Sequence, residues 1–282
     1  MAAMDFTVGK AILLFVGAGC AVSPARCTLA AARPDFELKS VPGILKFQSE
    51  KAWASEIVDG RYRLFNNVWN SKAIAGPYRQ QVFVKDDRGR PIVGWVWSVQ
   101  ESQAPATYPE IQAGFSPWNG AVAPNSGFPF QAGTRKLVVN FDITIAATGT
   151  YDVALQSWVV SASRPTSSTI THEIVILVAN QGMPVPGSLV ARATVQDHGF
   201  AVYVDKNRRD AAGKNINSWT LMTLVADKPI LRGPFDMGEV IHFLLRGGYL
   251  DGKSTIANVE LGTDIMRGAG SAVVRDFAVT VE

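Results

Sequence analysis

Apolar and polar residues alternate with a period of two along much of this chain, and that pattern predicts strands. In residues 171–178, Glu173, Val175 and Leu177 share one face, and Ile174, Ile176 and Val178 share the other. In residues 151–159, Asp152, Ala154, Gln156 and Trp158 share a face opposite Tyr151, Val153, Leu155 and Val159. Each strand thus offers an apolar face to a second sheet and a face carrying one acid. Two antiparallel sheets packed that way make a sandwich.

Further strands follow from the same alternation. Residues 61–70 read as one, ending in Asn66, Asn67, Trp69 and Asn70. Residues 81–84 and 93–98 flank a turn at Asp86-Asp87-Arg88-Gly89. Residues 136–145 form another, closed by a turn at Thr148-Gly149. Residues 189–206 and 217–226 read as a hairpin, and so do 257–265 and 272–279 around the Gly-rich stretch 267–271. The period changes to 3.6 once. Met237, Val240, Ile241, Leu244 and Leu245 form a helical stripe between an N-capping Asp236, with Glu239 three residues on, and the stop Gly247-Gly248.

The 282 residues suffice for one large β domain, with 25 glycines and 15 prolines to supply its turns. No internal repeat or linker divides the chain, so one domain over residues 33–282 is the simplest reading. A formal net charge of +3, without a basic stripe, argues against nucleic acid as a partner. Residues 1–32 read as a secretory signal. Lys10 precedes the apolar run 11–22, which is too short for a membrane span, and small residues follow at Ala30-Ala31-Ala32. The chain is therefore expected to be secreted or periplasmic, without a membrane span. Both cysteines, Cys20 and Cys27, lie in that segment, so cleavage after Ala30 or Ala32 leaves no thiol. Cys20 follows only a faint lipoprotein box, which lacks an aliphatic residue three places before it.

Candidate chemistry is sparse outside the acids. Trp95 and Trp97 lie two apart on one strand face. Such a pair serves either as core packing or as a platform on which sugar rings stack. Residues 101–133 form a long Pro/Gly-punctuated region of the kind that builds rims and lids. The charged turn at residues 205–210 reads as a solvated loop. His172, His198 and His242 lack metal-ligand spacing, so no metal or other cofactor is expected.

Six segments, in order over residues 60–280, resemble glycoside hydrolase family 12, the retaining endo-β-1,4-glucanases and xyloglucanases. They are Asn66-Asn67-Val68-Trp69, Trp95-Val96-Trp97-Ser98, Tyr108-Pro109-Glu110-Ile111 with Pro117-Trp118, Tyr151-Asp152, His172-Glu173-Ile174-Val175-Ile176, and Leu261-Gly262-Thr263-Asp264. The resemblance implies an all-β jelly-roll sandwich with a concave cleft, acting as a monomer on a β-glucan. It implies that Glu173 is the nucleophile, that Asp152 bonds to it, and that Asp264 is the acid/base. It also makes Asn67, Trp69, Trp95, Trp97, Tyr108, Pro109, Trp118 and Trp158 candidate substrate contacts.

A retaining glycosidase needs two carboxyl groups about 5–5.5 Å apart, one attacking the anomeric carbon and one protonating the leaving oxygen. The chain departs from the family pattern in two places. Asp264 stands where the family has Glu, one methylene longer. Val175 and Leu177 stand where it has Met and Trp, which thins the expected aromatic wall. Glu260, four residues from Asp264 along a strand, is set aside as a substitute acid because it would sit about 13 Å away. The alternative to an endoglucanase is a glucan-binding sandwich with weak or absent catalysis.

Overall fold

The computed structural model describes residues 38–123, 126–213 and 215–282. The proposed signal segment, with Cys20 and Cys27, lies outside the described residues. The strands in chain order are β1 (Ile44–Ser49), β2 (Ser55–Val58), β3 (Tyr62–Phe65), β4 (Tyr78–Asp87), β5 (Arg90–Val99) and β6 (Glu110–Ser116). Then come β7 (Gly120–Ala121), β8 (Phe130–Gln131), β9 (Leu137–Val160), β10 (Ile170–Gln181), β11 (Ser188–Val195), β12 (His198–Arg208) and β13 (Trp219–Ala226). After β14 (Phe235–Asp236) comes α1 (Met237–Arg246), and β15 (Thr255–Ile256), β16 (Asn258–Gly262) and β17 (Ile265–Val281) close the chain.

The pairings resolve into two layers. One runs β1–β4–β5–β17 and ends on the first half of β9 and β14. The other runs β2–β3–β6–β16, then the second half of β9, then β10–β13–β12–β11. The β10–β13 pair is parallel and the other named pairs are antiparallel. Between the layers lies the core, into which Ile174, Ile176, Val153, Leu155, Val259 and Leu261 point with little or no exposure. The all-β sandwich expected from alternation, which the resemblance made a jelly roll, is borne out.

Two of the expected turns are not turns. Residues 137–160 form one strand through Thr148-Gly149, and the Gly-rich stretch 267–271 lies inside β17. Gly149 faces Gly268 across the β9–β17 ladder, and both have positive φ (103° and 106°). A Cβ on Gly149 would lie 2.2 Å from the Arg267 carbonyl, and one on Gly268 2.0 Å from that of Thr148. The glycines here permit two backbones to approach closely rather than reverse. By this route β9 leaves one sheet and enters the other.

Other differences are local. β3 ends at Phe65, so Asn66 to Asn70 leave the strand. The long region 101–133 contains β6, a strand of the cleft-bearing sheet. The first arm of the expected 189–226 hairpin is itself a hairpin, β11–β12, turning on Gln196 and Asp197, both at positive φ. The reversal at Arg88-Gly89, with positive φ at both residues, is as read. Helix α1 also matches. The Asp236 carboxylate accepts the Glu239 N–H at 3.1 Å, and Met237, Val240, Ile241 and Leu244 are buried in the main core.

Candidate active site

The open face of the second sheet carries a cleft of about 920 Å³, its mouth included. Its floor comes from alternation: Glu110 of β6, Gln156 of β9, Glu173 of β10 and Glu260 of β16 all point to this side. Glu173, Gln156, Trp158, Glu110 and Glu260 therefore share one surface with Trp219 from β13. Loops complete it with Asn67, Trp69, Tyr108, Trp118 and Asp264.

Glu173 is held at both carboxylate oxygens. Gln156 Nε2 donates to its Oε1 at 3.1 Å, and Trp219 Nε1 donates to its Oε2 at 2.8 Å. Burial raises its pKa, while the Arg208 charge and the Trp219 N–H act against that rise. The arrangement favours an ionised carboxylate with few alternative rotamers, which suits a nucleophile. Replacing Trp219 by Phe removes one donor to the ionised form, so the Glu173 pKa rises further. The acidic limb of kcat/KM is then expected to move up by about one pH unit, read from a pH–rate profile.

Asp264 keeps its proton well above the usual carboxylate range. Burial first, and the Glu173 charge second, raise its pKa to about 7, with a hydrogen bond from the Trp69 side chain opposing. Its Oδ1 is buried with no hydrogen-bond partner. Two carboxyls in one cleft with their pKa values driven apart form the pattern of a base or nucleophile beside an acid.

Asp152 is not where the resemblance put it. The β9–β10 register sets it opposite Asn180, while Glu173 faces Trp158. Its Oδ1 instead accepts the Asp264 backbone N–H at 3.1 Å. Burial and then the Asp264 charge raise the Asp152 pKa. The bond to Glu173 comes from Gln156, two residues from the facing Trp158 along β9. Asp152 braces the loop of Asp264.

The aromatic candidates divide cleanly. Trp118, Trp158 and Trp219 form an edge-to-face cluster with centroids 5.5–6.3 Å apart on one cleft wall. Trp219 thus supplies an aromatic on the strand beside β10, although Val175 and Leu177 do not. Tyr108 lines the cleft, and its hydroxyl donates to the Ala154 carbonyl at 3.2 Å. Its ring fits because residue 262 is glycine: a Cβ there would lie 2.6 Å from the ring.

Trp95 and Trp97 are corrections. They are 0 % and 1 % exposed and sit between the sheets, where the core-packing reading holds. Trp95 Nε1 donates to Thr263 Oγ1 at 3.1 Å, and Trp97 packs edge-on to Tyr151. Truncating Trp97 to Ala is expected to cost about 3–5 kcal/mol of stability, measured by denaturant unfolding, without changing glucan affinity. Pro109 is buried outside the cleft lining, and its carbonyl accepts the Thr263 N–H.

Several cleft residues escaped the sequence reading. Arg208, Arg209 and Asp210, read as a solvated loop, line the mouth with the adjoining Ala211 and Ala212. Arg208 follows a register break in β12, which returns it to a position opposite Trp219. Trp53 lines the cleft at positive φ (68°) and is 41 % exposed. Glu260, set aside on strand spacing, faces the same cleft as Asp264, and both feel the Glu173 charge. A face shared by polar residues of β6 and β16 was the available signal, but β6 was taken for loop.

The chain has the fold of the family 12 glycoside hydrolases, with a carboxylate-lined cleft. It superposes on a family 12 xyloglucanase from Bacillus licheniformis with TM-score 0.76 and 21% identity, covering 84% of this chain and all of that one. A metagenome-derived family 12 endoglucanase gives 0.70 at 22% identity over 86% of this chain and 99% of its own, and endoglucanase cel12A from Rhodothermus marinus gives 0.69 at 21% over 84% and 99%. In sequence, the chain is 25% identical over 229 residues to Endoglucanase S of Pectobacterium parmentieri, spanning 79% of this chain and 83% of that protein. No family model matches the chain. The resemblance to glycoside hydrolase family 12 drawn from six short segments is thereby borne out.

Proposed function

We propose that the protein is an endo-β-1,4-glucanase that hydrolyses a β-glucan by double displacement with retention. The comparisons support a glycoside hydrolase of the cellulase type. One observation carries the mechanism: a carboxylate gripped by two N–H donors, Glu173, shares the cleft with a carboxyl raised to about 7, Asp264. Glu173 attacks the anomeric carbon while Asp264 gives its proton to the departing glycosidic oxygen. Asp264, now ionised, then takes a proton from the water that cleaves the glycosyl ester. Trp69, Trp118 and Trp158 offer apolar ring faces and edges to sugars, and Asn67 offers polar groups.

The same reading has the chain acting as an exported monomer. The apolar run 11–22 after Lys10 supports export. The test of function is release of reducing ends from carboxymethylcellulose, barley β-glucan and xyloglucan. Failure on all three at high enzyme load would sink it.

A second reading is glucan binding with little turnover. It is favoured by the short side chain of Asp264 and its unpartnered Oδ1. A retreat of about 1 Å by a catalytic group can cost on the order of 100-fold in rate. If that is the defect, Asp264→Glu raises kcat while oligosaccharide affinity stays put.

A further inference from the structure

Two more carboxyl groups lie in the cleft, and the two-carboxyl mechanism uses neither. Glu110 on β6 and Glu260 on β16 are 1 % and 4 % exposed. Glu260 faces Gln112 across the β6–β16 ladder, and Glu110 faces Gly262, so the two acids sit diagonally on the same surface. The space over Gly262, where a side chain would stand, is taken by the Tyr108 ring. The carboxyls are within hydrogen-bonding reach of each other.

The neighbouring donors are unevenly shared. Glu260 Oε1 accepts Asn258 Nδ2 at 2.6 Å, and the Trp158 side chain also donates to this carboxyl. Glu110 Oε1 accepts Asn67 Nδ2 at 3.2 Å, but Glu110 Oε2 is buried and meets no donor. Asn67 Oδ1, beside it, is also buried without a partner. An ionised Glu110 would leave an unpaired charge in the cleft wall. A protonated Glu110 gives Oε2 a partner in Glu260 and leaves Glu260 with free acceptor capacity facing the cleft.

We propose that Glu110 and Glu260 hold one proton between them and that Glu260, so held, accepts a hydroxyl of the bound saccharide. This rests on the reading of the cleft as a glucan site. A second proton on the pair would occupy the Glu260 acceptor, so binding strengthens as pH rises through about 7, where Glu260 loses it.

The charged surroundings agree in sign. Burial, and then Glu260, raise Glu110, with Asp264 adding to the rise. Burial raises Glu260 to about 7, with the Glu173 charge adding and the Asn258 and Trp158 donors opposing. The Tyr108 hydroxyl, pushed up by burial and by these acids, stays neutral. Arg63, half-buried on β3, is the cation that feels Glu110, while Arg208 lies toward Glu173 and Asp264.

The test is calorimetric binding of a thio-linked cellotetraose, which the wild type binds without cleaving, between pH 6 and 8. Kd is expected to fall about tenfold over that window, as the extra proton leaves Glu260 near pH 7. In Glu260→Gln the titrating acceptor is gone and the fall is expected to vanish, while in Glu110→Gln the amide replaces the shared proton and the fall is expected to persist. In Asp264→Asn it is expected to persist. A fall that persists in Glu260→Gln, or vanishes in Asp264→Asn alone, would overturn the proposal but leave the glucan reading intact. Absence of binding at any pH would overturn both. Carboxyl ¹³C NMR of the wild type gives a check free of folding effects: one buried Glu carboxyl pair should titrate near pH 7, and none doing so would also overturn it.

Discussion

Replacing Glu173 by Gln abolishes β-glucan hydrolysis, by at least ~10⁴-fold in kcat, because an amide cannot attack the anomeric carbon in the carboxylate's place. The substitution keeps the size of the side chain and can keep a bond to Trp219, since the amide oxygen still accepts an N–H. The fold should therefore survive, and the variant should still bind oligosaccharide. A reducing-sugar assay beside calorimetric binding separates the two effects. Residual turnover within tenfold of the wild type would remove Glu173 from the role. The lower limb of the wild-type pH profile follows the same group: activity falls as pH drops through the raised pKa of Glu173 and the nucleophile is protonated.

Asp264→Asn is expected to cost about 10²–10⁴-fold on β-glucan, whose leaving alkoxide needs a proton. On an aryl glycoside with a good leaving group, glycosylation should be much less affected, because departure no longer needs the acid. The variant should also lose the upper limb of the pH profile. In the wild type the acid must be protonated, so activity declines as pH rises through about 7. If the asparagine variant keeps that upper limb, another group supplies the proton. Glu260, raised to a similar value in the same cleft, is then the group to replace next.

Much of this site was legible because alternation reports which face a side chain takes. Once Ile174 and Ile176 were assigned to the core, Glu173 had to face the other way, and Gln156 and Trp158 likewise. The cap at Asp236 and the turn at Arg88-Gly89 are local devices and could be read locally.

What failed was register and long-range approach. Whether Asp152 or Gln156 meets Glu173 depends on which residue of β9 stands opposite β10. Irregularities at Ile170/His172 and Leu177/Ala179 lie in that pairing, and the sequence pattern does not announce them. Gly149 and Gly268 read as turns because the partner that demands them is more than a hundred residues away. Arg208 read as solvent-facing because its place in the cleft depends on a register break opposite Trp219. Trp95 and Trp97 were ambiguous for a related reason. A period of two shows that they share a face, but not whether that face is inside.

The central claim is that Glu173 forms a covalent glycosyl ester. An activated 2-deoxy-2-fluoro cello-oligosaccharide, which slows both steps and lets the ester accumulate, tests it directly. Mass spectrometry of the digested protein should find one added glycosyl unit on the peptide carrying Glu173. A label on the peptide carrying Glu260 or Asp264, or turnover with inverted anomeric configuration and no label, would contradict the account.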